Sequence, residues 1–162
     1  MQRVHFFKPS LEYIAQVNSL FEQHKQQILE ALVYAQVEHI GATSVPNALT
    51  KGDLDLLVRV EEEQFVLTVE QLKSLYDIHQ LENWTSCFAS FKEEKNFVIS
   101  VGVQIVIAGS QVDYFAQLRD LFIDQPELLI QINKLKSSFE GKDMESYIKA
   151  KGEFYERVLV CF

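Results

Sequence analysis

Cysteine is almost missing from this 162-residue chain: Cys87 and Cys161 stand far apart, without the paired spacing of a zinc site or a redox CxxC. A disulfide framework is thereby excluded as the source of stability, and two reduced thiols lead us to expect a cytoplasmic location. Long apolar runs are missing too. None approaches the roughly 18 residues of a membrane-spanning helix, and the start MQRVHFFKPS has neither the apolar core nor the cleavage site of a signal peptide. Neither membrane insertion nor export is expected. Basic residues are outnumbered, 15 against 23 acidic, and the formal charge of -8 opposes the broad phosphate neutralisation that supports non-specific nucleic-acid binding. A small phosphate-bearing ligand remains compatible with that charge, because a few local donors or a divalent ion hold one against an unfavourable global field.

Proline and glycine are scarce as well. Pro9, Pro46 and Pro126 each fall where an element begins or ends, and no repeat, low-complexity tract or hinge interrupts the chain. With 48% hydrophobic residues, the sequence predicts one domain over residues 1–162 with a core that needs no cross-link. Periodicity supplies the elements. Leu11, Ile14, Val17, Phe21, Ile28 and Leu32 recur at helical spacing behind a candidate N-cap at Ser10, which predicts a helix over about 10–34. Gln36–Ile40 reads as a strand, Asp53–Val60 as a Leu/Val-rich strand, and Glu61–Tyr76 as a helix opened by three acids. The alternations in His79–Lys92 and Asn96–Ala108, joined by the polar stretch from Glu93 to Asn96, predict an antiparallel hairpin. Helices are expected over about 110–124, 126–138 and 142–160. The fold class is therefore α+β, a sheet bracketed by helices with a helical C-terminal segment.

Chemistry concentrates between Gly41 and Asp55. His39-Ile40-Gly41-Ala42-Thr43-Ser44-Val45-Pro46 runs from a strand into a glycine turn with two hydroxyls, which offers backbone N–H groups and side-chain donors to an anion. Lys51-Gly52-Asp53-Leu54-Asp55-Leu56 follows. Residues i and i+2 share a strand face, so Asp53 and Asp55 project together about 6–7 Å apart, while Leu54 and Leu56 turn to the core. Two carboxylates about 6 Å apart repel by roughly 3 kcal/mol at an effective dielectric near 20, and by under about 1 kcal/mol in water. A solvated pair is an ordinary strand edge. In a cleft the same pair calls for a hard cation such as Mg²⁺, which would also hold triphosphate oxygens.

These residues resemble the signature of the GrpB family, whose usual form is HIGSTSVPG…KxxIDI. The similarity continues through Ala108-Gly109-Ser110, Leu118-Arg119-Asp120, Pro126-Glu127-Leu128, Tyr147 and Lys151, and so spans most of the chain. GrpB-like proteins have the nucleotidyltransferase fold, and some occur fused to dephospho-CoA kinase. The resemblance implies a nucleotidyltransferase-like mixed sheet flanked by helices, with the Gly41–Ser44 turn toward nucleotide phosphates and the Asp53/Asp55 strand toward metal. Three positions depart from the pattern: Ala42 stands where the family has Ser, Asp53 where it is often apolar, and Gln104 where relatives tend to carry His and active nucleotidyltransferases a third carboxylate. A neutral amide is a poor metal ligand or general base in place of an acid.

Other residues carry two readings each. Lys51 reaches a phosphate or is a solvated turn charge. Arg119 contacts ligand or, with Asp120, ties helix to sheet. Tyr147 and Lys151 share a helix face and suit a base and a phosphate, or packing under a snorkelling lysine. His39 touches a ligand or caps a strand end. His5, His24 and His79 show no ligand spacing, Trp84 with Phe88 and Phe91 reads as core, and Glu61 to Glu63 as helix N-terminal charge. The sequence thus predicts a protein that binds a nucleoside triphosphate with Mg²⁺ through Asp53 and Asp55, the phosphates on Gly41, Ala42, Thr43, Ser44, Lys51, Arg119, Tyr147 and Lys151. An unknown acceptor hydroxyl would attack the α-phosphorus. The alternative is a non-catalytic module that keeps the fold and acts through a protein partner, and a third is a ligand sensor that needs no metal.

Overall fold

In a computed structural model, which describes residues 1–93 and 98–162, the second strand is the spine of the domain. Strand β2 (Leu54–Val60) pairs antiparallel with β1 (Gln36–Ile40) on one side and parallel with β5 (Val101–Ile107) on the other. Strand β4 (Phe88–Glu93) runs antiparallel to β5, and the short β3 (Asp77–Ile78) closes a mixed five-stranded sheet of order β1-β2-β5-β4-β3. Alternation assigns the faces. Leu54, Leu56, Val58 and Val60 enter the largest core cluster with Val17 and Ile28 of α1 (Leu11–Ala31) and Phe65, Val69 and Leu72 of α2 (Glu62–Leu72).

The opposite face of β2 carries Asp55, Leu57 and Arg59. Leu57 packs with Ile40 of β1 and Val106 of β5 beneath Phe115, the first residue of α3 (Phe115–Asp124). Helices α4 (Pro126–Ser138) and α5 (Met144–Cys161) complete that side: Phe122, Ile132, Phe154 and Val158 bury against Val45 and Ala48 of the loop after β1. Asn133 holds this loop to α4, donating to the Asn47 carbonyl at 3.0 Å and accepting from the Leu49 amide at 2.9 Å.

The predicted elements are present with shifted edges. Ser10 caps α1, its hydroxyl accepting from the Tyr13 amide. The expected long strand from His79 shortens to Phe88–Glu93, because Gln80 takes a left-handed φ of 46° and the Trp84 indole donates to the His79 carbonyl, closing a 3₁₀ turn over Leu81–Asn83. The hairpin pairing of β4 with β5 is as expected; its turn, from Glu94 to Asn96, lies outside the described residues. Helix α3 starts at Phe115 rather than near 110, since the Asp113 carboxylate accepts from the Gly109 amide at 2.8 Å and is gripped by Arg59. Among the described residues no helix is long and apolar enough to cross a membrane.

Candidate functional site

The start of β2 places Asp55 opposite Ile40 of β1 and Gly102 of β5. Both glycines beside it are there for room. A Cβ on Gly41, whose φ is 75°, would lie 2.5 Å from Asp55 Oδ2, and one on Gly102 would lie 2.9 Å from Oδ1. The carboxyl is thus walled in on two sides by backbone. Burial pushes its pKa up to about 6; the neighbouring Asp53 charge adds to the rise, while Lys151, Lys51 and the Gln104 amide oppose it. Asp55 is therefore a cleft carboxylate and not a solvated one. Asp53 lies one residue before the strand with its side chain 42% exposed, 3.8 Å from Lys51 Nζ.

A cavity of about 190 Å³ opens behind Asp55. Among the residues predicted from sequence, Gly41, Ala42, Asp55, Arg119 and Lys151 line it, together with Gln104. Lys151 Nζ stands over the rings of Tyr147 and Tyr155 at 5.3 and 5.8 Å, and burial lowers its pKa, helped by Lys51 and opposed by Asp55 and Asp53. Tyr147 itself is buried between Phe6 and Phe139, so it supports the lysine from below. Gln104 Oε1 is buried with no hydrogen-bond partner among the described residues.

The two loop hydroxyls spend their protons on the backbone. Thr43 Oγ1 donates to the Asp53 carbonyl at 3.0 Å, and Ser44 Oγ donates to the Gly41 carbonyl at 2.6 Å. With its proton committed, Thr43 must accept from His39 Nε2, 3.0 Å away, which fixes the His39 tautomer. The ring stacks on Phe21, and burial, then the Arg119 charge, bring its pKa down to about 4, so it is neutral near pH 7. His39 thus braces the turn that holds Asp53 and lies on the sheet face away from the cavity. Arg119 has a tying role as well as a place in the wall: it donates to the His39 carbonyl at 3.0 Å, to Glu38 at 3.1 Å and to Asp120 at 2.8 Å.

Sequence reasoning missed Lys136. It is only 5% exposed and lines the cavity, donating to the Leu49 carbonyl at 2.6 Å. A signal existed: Leu129, Ile132 and Lys136 recur at helical spacing, so the lysine falls on the apolar stripe of α4. Burial, then the Lys151 and Lys51 charges, bring its pKa down to about 8. Tyr155 was also missed, and it joins the same wall.

Comparison with known proteins agrees with this architecture. A UPF0157 protein of Vibrio cholerae is 34% identical over 154 residues, covering 95% of this chain and 81% of that one. The crystal structure of GrpB from Enterococcus faecalis superposes with a TM-score of 0.64 at 22% identity, over 82% of this chain and 81% of that one. Cid1 in complex with the UTP analogue UMPNPP superposes at 0.54 and 14% identity, over 79% of this chain but 40% of Cid1. A cytoplasmic RNA terminal U-transferase gives 0.56 and 12%, again over 79% of this chain and 39% of that protein. Identities this low speak for the fold alone, which is nucleotidyltransferase-like. The GrpB protein family model matches residues 11–160, and with a curated relative above 30% identity the chain belongs to the GrpB family.

Proposed function

We propose that this protein binds a nucleoside triphosphate together with Mg²⁺ where the Gly41–Ser44 turn meets the start of β2. The observation that carries the reading is the Asp55 carboxyl, enclosed by Gly41 and Gly102 and faced by Lys151. Its raised pKa means that the ionised form lacks compensation, which a hard cation supplies. The donor set suits Mg²⁺: Asp53 and Asp55 offer two carboxylates, and water and phosphate oxygens would complete the shell. When bound, the ion would offset the two carboxylates and polarise phosphate oxygens.

This chain's own residues do the rest. Lys51 and Lys151 flank both acids and attract the polyphosphate, and Gly41 lets the backbone come close to it. The cavity, at about 190 Å³, is smaller than the roughly 300–1,000 Å³ of ligand pockets, so the triphosphate lies at its mouth beside Lys51 and not inside. For transfer, an acceptor hydroxyl attacks the α-phosphorus, the bond from that phosphorus to the α–β bridging oxygen breaks, pyrophosphate leaves, and the hydroxyl proton passes to solvent. Calorimetric titration with each of the four common triphosphates and Mg²⁺ tests the binding step. Heat with at least one, abolished in Asp55→Ala, is expected; no heat with any of them removes the reading.

One observation favours a second reading, in which the ligand is bound and nothing is transferred. Gln104 stands where a third acid is expected, and among the described residues no three His, Cys, Asp or Glu side chains are grouped to hold a metal. Incubation with labelled triphosphate and candidate acceptors separates the two. Transfer that disappears in Asp53→Asn would defeat the binding-only reading.

A further inference from the structure

The cavity behind Asp55 is charged in a way that a triphosphate at its mouth does not explain. Lys136 is only 5% exposed, and its ammonium has one hydrogen-bond acceptor among the described residues, the Leu49 carbonyl. The charges that act on it are Lys151 and Lys51, both cations. A buried cation set among cations is costly unless an anion joins it. At the sheet end of the same cavity, Gln104 Oε1 is the converse: a buried acceptor that lacks a donor among the described residues. The same wall carries apolar side chains such as Ile40, Leu118 and Ile132 beside the charged groups of Asp55, Arg119 and Lys151. The loop that carries Ala48 is clamped to α4 by Asn133 and by Lys136 itself, so the wall is preformed.

We propose that this cavity is a second ligand site, which binds a small carboxylic acid that has an apolar body and a hydroxyl or amine. The carboxylate pairs with Lys136, the hydroxyl or amine donates to Gln104 Oε1, and the apolar body lies against Ile132 and Leu118. The volume of about 190 Å³ limits the ligand to a molecule far smaller than a nucleotide. The anion is a carboxylate in preference to inorganic phosphate, because phosphate would fill the lysine end and leave the apolar wall and the glutamine oxygen unmatched. The site goes beyond the triphosphate reading, and it stands or falls without it.

The test is thermal unfolding of the full chain with ε-hydroxycaproate, ε-aminocaproate, para-hydroxyphenylacetate and inorganic phosphate, each over a concentration series. At least one organic acid is expected to raise Tm saturably, while phosphate does not. Lys136→Met should weaken that acid by tenfold or more, and Ala48→Leu, which fills the cavity without touching a charge, should do the same. The proposal is overturned if no acid gives a saturable shift, if phosphate alone reproduces it, or if the shift survives Ala48→Leu. Should Lys136→Met fail to fold, the Ala48→Leu comparison decides. A Mg²⁺–triphosphate titration run in parallel on both variants keeps a failure of the nucleotide reading separate from a failure of this one.

Discussion

Asp55→Asn should make the free protein more stable while it removes the response to Mg²⁺. The carboxyl titrates near 6 in the folded chain, against an ordinary value of 3.8. A folded pKa above the unfolded one means that the native state holds its proton more tightly. The group therefore costs nothing below about pH 4, and the cost grows as pH rises from 4 to 6 and is complete above 6. A shift of this size corresponds to roughly 3 kcal/mol. Solvent still reaches one side of the carboxyl, which is half-buried, and leaves about 1–2 kcal/mol after screening. Asparagine keeps the shape between Gly41 and Gly102 without the charge, so at pH 7.5 the variant should melt about 2–8 °C higher for a chain of this length. The assay is differential scanning calorimetry of both proteins at pH 4, 6 and 7.5, with and without Mg²⁺. The gap between them should close toward pH 4, and Mg²⁺ should raise the Tm of the wild type alone. A variant that is less stable at pH 7.5, or a gap that does not change with pH, would refute the argument, since Asp55 would then be held by favourable bonds.

Lys136 gives the opposite pH signature: its folded pKa of about 8 lies below the ordinary 10.5, so stability should rise between pH 8 and 10.5 as the unfolded chain alone holds the proton. Unfolding free energies from urea titrations of wild type and Lys136→Met should differ by up to about 3 kcal/mol at pH 7, less what the lost bond to Leu49 costs, and converge toward pH 10.5. Gly41→Ala combines a φ of 75° with a Cβ 2.5 Å from Asp55 Oδ2, and it should cost about 1–3 kcal/mol in denaturant melts and weaken Mg²⁺–triphosphate binding in calorimetry. Asp113→Asn breaks the two-pronged pair with Arg59 (2.8 and 2.7 Å), in which the Asp113 side chain is 6% exposed. It should cost about 1–3 kcal/mol at pH 7, since solvent reaches the arginine, yet leave ligand binding unchanged because it lies at the far end of β2. The Arg59 bond holds the Asp113 pKa below its ordinary 3.8, so this contribution is lost only as pH falls beneath that value.

The elements were legible because each carries its own local cause. The spacing from Leu11 to Leu32 makes α1, the alternation from Leu54 to Val60 makes β2, and Pro126 opens α4 at its first residue. Boundaries were less legible where a side chain far along the chain intervenes. Nothing near residue 110 reveals that Arg59 will draw Asp113 into a turn and delay α3 to Phe115. The same limit applies to the site. Gly41, Asp55 and the shared face of β2 follow from strand periodicity, whereas the neighbour that walls in Asp55 from the other side, Gly102, depends on a parallel pairing of β2 with β5 that no local pattern encodes. Thr43 and Ser44 were read as phosphate donors because hydroxyls after a glycine suit that role, but their protons go to Asp53 and Gly41 carbonyls. Lys136 escaped because a lysine on a helix is read as solvated until the facing wall is known.

One sheet face separates structure from function by how its polar groups are satisfied. At one end of β2, Arg59 and Asp113 meet in a closed pair, and nearby Arg119 commits three of its N–H donors to His39, Glu38 and Asp120. These charges stabilise the fold and have little left to offer a ligand. At the other end, Asp55 keeps its proton too long, Lys136 gives its proton up too early and Gln104 Oε1 finds no donor. Gln71 and Ser110 each leave one oxygen without a partner among the described residues as well, but neither lines the cavity. Three frustrated groups around one concavity are hard to explain as packing, because replacing them by apolar residues of similar shape would raise stability. Their mismatches are also complementary in sign: Lys151 and Lys51 only partly compensate the acid, and among the described residues Lys136 has no carboxylate partner and the amide oxygen no donor. Chance frustration has no reason to be so arranged, whereas a site that binds a cation and an acid needs that arrangement.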